Sequence, residues 1–345
     1  MPLRGTVFCI KNCSASNLSS LSRLGSLYQL LLCFCLLLGS AKGEQLTFSK
    51  RNTPKQLTFN YVWQDQSGQT RDLALSLPKS AINRHQHKRF MPELAQRYVY
   101  VELHKAARKI DPTDAHVTIK SQGQDTQIEI TSRSSKMLDK WQQQMQISKE
   151  KALARYLQEN YYAHFQTYLG QQAIKPDHLR YIKENRAALL PLAQAMYEKV
   201  PVDSDVRAYL NLLLSWSQTI PYNPLENRLE SNGAGYAPPL TVIATNRGDC
   251  DSKSVLIATL LSALLPDMDL IMLYLPNHAL LGINLALRGN ESAYNIAGKD
   301  YLLMDPTGPA LMALGHISTR SQRAINNGMY TYEKISWPLD APAKG

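Results

Sequence analysis

The stretch "NRGDCDSKSVLIATLLSALLP", residues 246–266, sets one cysteine between two aspartates at the head of an apolar run. Val255, Ala258, Leu261, Leu264 and Leu265 recur at helical spacing, so a helix starts within a residue or two of Cys250, with Asp249 or Asp251 as its cap. A thiol at a helix start meets unpaired N–H groups and the positive end of the helix dipole, which favour the thiolate. The same N–H groups can receive a developing oxyanion.

Working outward, the next question is why only this thiol stands here. The five cysteines are Cys9, Cys13, Cys33, Cys35 and Cys250. Residues 1–43 carry Arg4, Lys11, Arg23 and Lys42 and no acid, and they contain the apolar run "SLYQLLLCFCLLLGSA" followed by small residues. A basic start, a short apolar core and a small-residue exit describe a secretory signal peptide cut near Ala41 or Gly43. The alternative is a retained anchor formed by residues 24–41, which would attach the chain to a membrane. Either way the expected location is exported, periplasmic or extracellular. With the leader gone, Cys250 is the one thiol left, and an odd cysteine in an exported chain is a candidate nucleophile. The bland reading of the same fact is a small buried hydrophobe.

The 345 residues are enough for more than one domain. Net charge is +10; without the four leader cations, 34 basic residues face 28 acidic ones, leaving +6. The basic cluster "RHQHKR" (84–89) reads as a solvated loop, and no aromatic-interleaved basic motif points to nucleic acid. His85 and His87 make an H-x-H pair, but no further ligands complete a metal site. No metal or cofactor is expected.

Alternating apolar residues predict strands over 56–65 and 71–78, joined through Ser67-Gly68, and a second hairpin over 115–132 around Gly123. Residues 97–104, "RYVYVELH", read as a third strand, with a helix start as the alternative. Residues 44–132 thus form a small β-rich domain. From Ser134 to Gly170 no proline or internal glycine interrupts a helical pattern, which predicts a long helical spacer over 133–170, one helix or two in line, with Gly170 as its stop. A second helix opens at Pro176 and is kinked or split by Pro191; a third follows Pro201, capped by Ser204 or Asp205. The Gly-, Pro- and Asn-rich segment 223–240 is a loop.

Beyond Cys250, "DLIMLYLPNHALLGINLAL" (269–287) reads as a strand ending at Pro276-Asn277, then His278, then a second strand. "KDYLLMDPTGP" (299–309) is a third strand ending at Asp305. A helix-borne thiol facing an imidazole and a carboxylate on neighbouring strands is the arrangement in which His278 takes the thiol proton and Asp305 orients the ring. The polar loop "RGNESAYNIAGKD" between His278 and Asp305 reads as a longer hairpin, with a lid as the alternative, and holds an Asn-Glu-Ser sequon.

These three stretches resemble the motifs of the transglutaminase-like superfamily. Gly248, Asp249, Cys250, His278, Asp305, Pro306 and Thr307 match its pattern position by position, and "WSQTIPY" (216–222) and "YAPPL" (236–240) are similar to its approach segment. The likeness spans roughly residues 180–310. One departure is that Ala279-Leu280 follow the histidine where members often carry an aromatic residue. The resemblance implies an α+β fold with a papain-like core, the cysteine helix packed on an antiparallel sheet, over residues 171–320, leaving 321–345 as a tail. It implies catalytic residues Cys250, His278 and Asp305, with Gln218 or Trp216 as oxyanion donor. It also implies acyl transfer through a thioester. The leading expectation is a peptidase or amidase acting on a protein or peptide of the cell envelope. Protein crosslinking and a non-catalytic scaffold are the alternatives.

Overall fold

The computed structural model describes residues 43–335 apart from 83–86, 123–124, 228–230, 232 and 290. The leader expectation, including residues 24–41, therefore lies outside the described residues except at its last position, as do His85 and residues 336–345 of the tail. Among the described residues no helix is long and apolar enough to cross a membrane.

In chain order the elements are β1 (Gln45–Asn52), β2 (Gln56–Gln64), β3 (Thr70–Pro78), α1 (Lys79–Ile82), α2 (Pro92–Ala107), β4 (His116–Gln122), β5 (Asp125–Thr131), α3 (Ser135–Glu159), β6 (Tyr162–Gln166), β7 (Gln172–Pro176), α4 (His178–Tyr197), α5 (Val206–Thr219), α6 (Pro239–Thr245), α7 (Cys250–Leu264), β8 (Leu270–Leu275), β9 (His278–Ile283), β10 (Tyr294–Ile296), β11 (Lys299–Met304), α8 (Thr319–Asn326) and β12 (Thr331–Ile335). The fold is mixed α+β with antiparallel sheets.

Its centre is a five-stranded antiparallel sheet in the order β10-β11-β9-β8-β12. Every residue of β8 is buried, as expected of a strand covered on both faces. Alternation sorts its side chains. Leu270, Met272 and Tyr274 join the core that contains α4, α5, α6 and α7. Ile271, Leu273 and Leu275 point the other way, to a smaller core closed by Ile317 and Ile325 near and on α8. Helix α7 is apolar almost all round because it is enclosed: Val255, Leu256, Ala258, Leu260 and Leu261 are fully buried.

The first strands pack into the main core. β1, β2 and β3 form one antiparallel sheet, and Leu57, Phe59, Tyr61 and Trp63 on its inner face enter the same core as α5 and α6. Trp63 Nε1 donates to Ser215 Oγ at 3.0 Å and Tyr61 Oη to the Ile243 carbonyl at 3.0 Å. The β4–β5 hairpin forms as its sequence predicts, and with α2 and α3 it builds a small core of its own around Val99, Leu103, Ile119 and Met145.

Three local expectations are corrected. Residues 97–104 are helical, inside α2: Ala95, Val99 and Leu103, four apart, are the buried positions, and this period outweighs the alternation of aromatic residues beside it. The helical spacer ends at Glu159, and Tyr162 to Pro176 form the β6–β7 hairpin, with Gly170 (φ +75°) in its turn. Pro176 ends β7, and Asp177 caps α4 by accepting from the Arg180 N–H; Pro191 lies on the exposed side of a continuous α4. Leu189, Leu192, Ala193 and Met196 are buried along that helix, and their packing outweighs one missing backbone hydrogen bond.

Candidate active site

Two local devices place Cys250. Asp249 is in extended conformation and its carboxylate accepts from the Ser252 N–H at 3.0 Å, which caps α7 and makes Cys250 its first residue. Ahead of it, Pro221–Asn223 runs beside Gly248: Gly248 N–H donates to the Pro221 carbonyl, and Asn223 N–H to that of Gly248. A side chain at Gly248 would meet Lys253 Cγ at 3.2 Å, so the glycine lets the lysine stem pass beneath it. The approach segment thus delivers Tyr222, 54% exposed, to the neighbourhood of the thiol.

His278 is placed by the Pro276-Asn277 turn. Leu275 pairs with His278 across two residues, and Asn277 adopts φ +64°, the left-handed position of a type II turn. His278 is therefore the first residue of β9, beside β11. Asp305 follows the last residue of β11 at the same end of the sheet. His278 Nε2 lies 2.8 Å from Asp305 Oδ2, and Asp305 Oδ1 accepts from the Thr307 N–H at 3.0 Å. Burial alone would raise the Asp305 carboxyl; the bond and charge of His278 and the Thr307 N–H hold it below the usual aspartate range. Cys250 approaches this pair along β9, where the N–H of Ala279, the residue after His278, acts to lower its thiol pKa.

The electrostatics around sulfur oppose the helix dipole. Burial pushes the Cys250 thiol well up, and Asp251 and Asp249 push it further; only the Ala279 N–H pulls it down. The thiol donates to Asp251 Oδ1 at 3.5 Å. Against the expectation of a thiol lowered by its helix N-terminus, burial first and the two aspartates second shift it upward. Asp251→Asn removes one of these charges while keeping the side-chain shape. It is expected to lower the apparent thiol pKa and to speed iodoacetamide alkylation at pH 7 roughly fivefold to tenfold. A pH–rate profile identical to wild type would show that Asp251 does not govern the sulfur.

Asp251 also leads into a buried chain the sequence did not reveal. Asp251 Oδ2 lies 3.7 Å from His178 Nε2; His178 Nδ1 is 2.9 Å from Tyr274 Oη; Tyr274 Oη donates to Glu333 Oε2 at 2.6 Å; and Glu333 pairs with Lys175 at 2.9 Å. His178 is fully buried, and burial keeps its imidazole neutral, well below the usual histidine range. No spacing rule links positions 175, 178, 251, 274 and 333, so only the fold could join them.

Of the two oxyanion candidates, Gln218 is committed elsewhere. Its Nε2 donates to the carbonyls of Asp305 and Met312, and its Oε1 accepts from Met312 N–H. Gln218 fixes the loop after β11 and has no N–H to spare. Trp216 is fully buried, edge-on to Tyr61 with ring centres 5.5 Å apart. Its indole N–H has no hydrogen-bond partner among the described residues. Gly308 (φ +68°) closes the loop against α5: a Cβ there would sit 2.0 Å from the Gln218 carbonyl oxygen, so only glycine fits.

Beneath the site, Lys253 is fully buried and its Nζ donates to the carbonyls of Ile220 and Thr307, both at 2.5 Å. Burial brings its pKa down to about 7, against the pull of Asp305, Asp249 and Cys250. The segment between His278 and Asp305 forms the β10–β11 hairpin. Because β9 runs away from the site, its following loop lies at the far end of the sheet. There Arg207 holds Glu291 in a bidentate pair and Arg288 bonds Asp205. It is therefore an added hairpin and not a lid. The basic cluster is corrected too: His87 is buried against Tyr162, Tyr181 and Tyr236, with Nδ1 2.9 Å from Tyr181 Oη. Among the described residues no group of three His, Cys, Asp or Glu side chains could hold a metal.

No protein-family model, curated protein or solved structure matches this chain.

Proposed function

We propose that the chain is an exported cysteine-dependent acyl-transfer enzyme with a papain-like, transglutaminase-like core, a peptidase or amidase of cell-envelope protein. One observation carries this reading: at the head of β9, His278 Nε2 stands 2.8 Å from a buried Asp305, and the Ala279 N–H of the same strand acts on the Cys250 thiol. A buried carboxylate fixes the ring so that Nε2 carries the proton and Nδ1 is left to accept one.

With the thiol raised by burial, proton transfer is coupled to attack. Cys250 attacks the amide carbon as His278 Nδ1 takes its proton, so the thiolate exists only as the bond forms. The imidazolium, stabilised by Asp305, returns that proton to the leaving amine, and the acyl group stays on sulfur as a thioester. Water, deprotonated by the same ring, releases the acid. An amine in place of water gives a crosslink.

The elevated thiol favours one other reading, a scaffold of the same architecture without turnover. Comparison of envelope protein fragments from wild-type and Cys250→Ser cells separates them. New protein termini present only in wild type are expected; isopeptide-linked species in their place would indicate crosslinking, and identical patterns would leave the scaffold.

A further inference from the structure

The His278–Asp305 pair opens on a cleft of about 460 Å³ between the β8–β9 turn and α8. The α8 side is a single helical stripe: Arg320, Arg323 and Asn327 line the cleft at spacings of three and four. Both arginines are exposed, and among the described residues neither has an ion pair or a side-chain hydrogen bond. Elsewhere in the chain Arg71, Arg180, Arg207 and Arg288 hold carboxylates. Asp305 is the one acid in the lining, and its two oxygens are taken by His278 and Thr307. Nothing in the cleft neutralises the two guanidinium groups.

The stripe is also rigidly mounted. Ser318 caps α8 by accepting from the Ser321 N–H, and Ile325 is buried against the far face of the central sheet. The expected boundary between catalytic unit and tail, at 320/321, falls inside α8, and both sides of it line the cleft beside His278.

We infer that this cleft recognises an acidic peptide segment, with Arg320 and Arg323 holding its side-chain carboxylates beside His278. The guanidinium fork fits a carboxylate in two parallel hydrogen bonds, which a lysine cannot match. The inference rests on the acyl-transfer reading for its substrate, but its test does not need turnover. Full-length Cys250→Ala protein is titrated into fluorescein-labelled hexaglutamate or hexaglutamine and followed by anisotropy at low salt. Hexaglutamate is expected to bind about fivefold to tenfold more tightly, the scale for a pair of solvent-facing charge contacts. Arg320→Gln/Arg323→Gln is expected to abolish the difference, and the double lysine variant to restore part of it. Equal binding of the two peptides, or a preference that survives in the glutamine variant, overturns the assignment. Either result can arise while wild-type protein still cleaves envelope substrates, so acidic selectivity and catalysis fail separately.

Discussion

His278→Ala is expected to lower turnover of a fluorescein-labelled protein substrate by about 10²–10⁴-fold, the usual worth of a positioned general base. The effect is large here because the thiol cannot help itself: burial and two aspartates hold it neutral. Without an acceptor for the proton, attack has to proceed from a small thiolate fraction. The substitution has a second consequence. Asp305 is only 5% exposed and would keep just the Thr307 N–H, so the folded state should lose roughly 1–3 kcal/mol, the cost of stranding a buried polar group. His278→Gln separates the two effects. Its amide can still donate to Asp305, so stability should largely return, while turnover should not. Capture of the thiol by a peptidyl acyloxymethyl ketone reports the same step without a known substrate. An alanine variant that reacts within threefold of wild type would remove His278 from the mechanism.

Lys253→Met carries the largest expected cost in stability. The swap keeps the apolar stem and leaves the Ile220 and Thr307 carbonyls without their donor. At roughly 1–3 kcal/mol for each stranded acceptor, the loss should be about 2–4 kcal/mol near pH 9. The pH dependence is the sharper signature. An unfolded lysine keeps its proton to about pH 10.4, whereas buried Lys253 releases it at about 7. Between these values the unfolded chain binds more protons, so Lys253 makes wild-type stability rise with pH, by up to about 1.4 kcal/mol per unit. Below about pH 7 both states are protonated and this contribution is flat, with the buried charge at its full cost. The gap between wild type and Lys253→Met should therefore widen from pH 6 to pH 9. Asp249, whose carboxyl burial and Asp251 push up, gives the opposite slope but is present in both proteins. Urea unfolding at several pH values measures the gap; a constant gap would mean that Lys253 is not a buried titrating group. Because Lys253 ties Thr307 to the end of α5, activity should fall as well.

The residues themselves dictated the elements that carry the site. A cap followed by an apolar helical period fixed α7 with Cys250 at its head. Pro276-Asn277 fixed a tight turn, and the alternating strands fixed the places of His278 and Asp305. These are local choices, set by backbone propensity and by periods of 3.6 and 2 within a few residues. The errors came where local signals were evenly matched. Residues 97–104 satisfy both periods, and the aromatic run at Tyr161–Tyr168 suits a hairpin as well as a helix. Only packing against α3 and against the central sheet decides them.

The surroundings of the sulfur belong to the tertiary structure alone. Whether Cys250 rests as thiol or thiolate depends on how deeply Asp249 and Asp251 are buried beside it. Burial is a sum over β7, α4, β8 and β12, which contribute residues scattered from 175 to 333. The fates of Gln218 and Lys253 were equally invisible, because both bond main-chain groups, and every sequence presents those alike. Only the folded chain shows which carbonyl is near enough to bond.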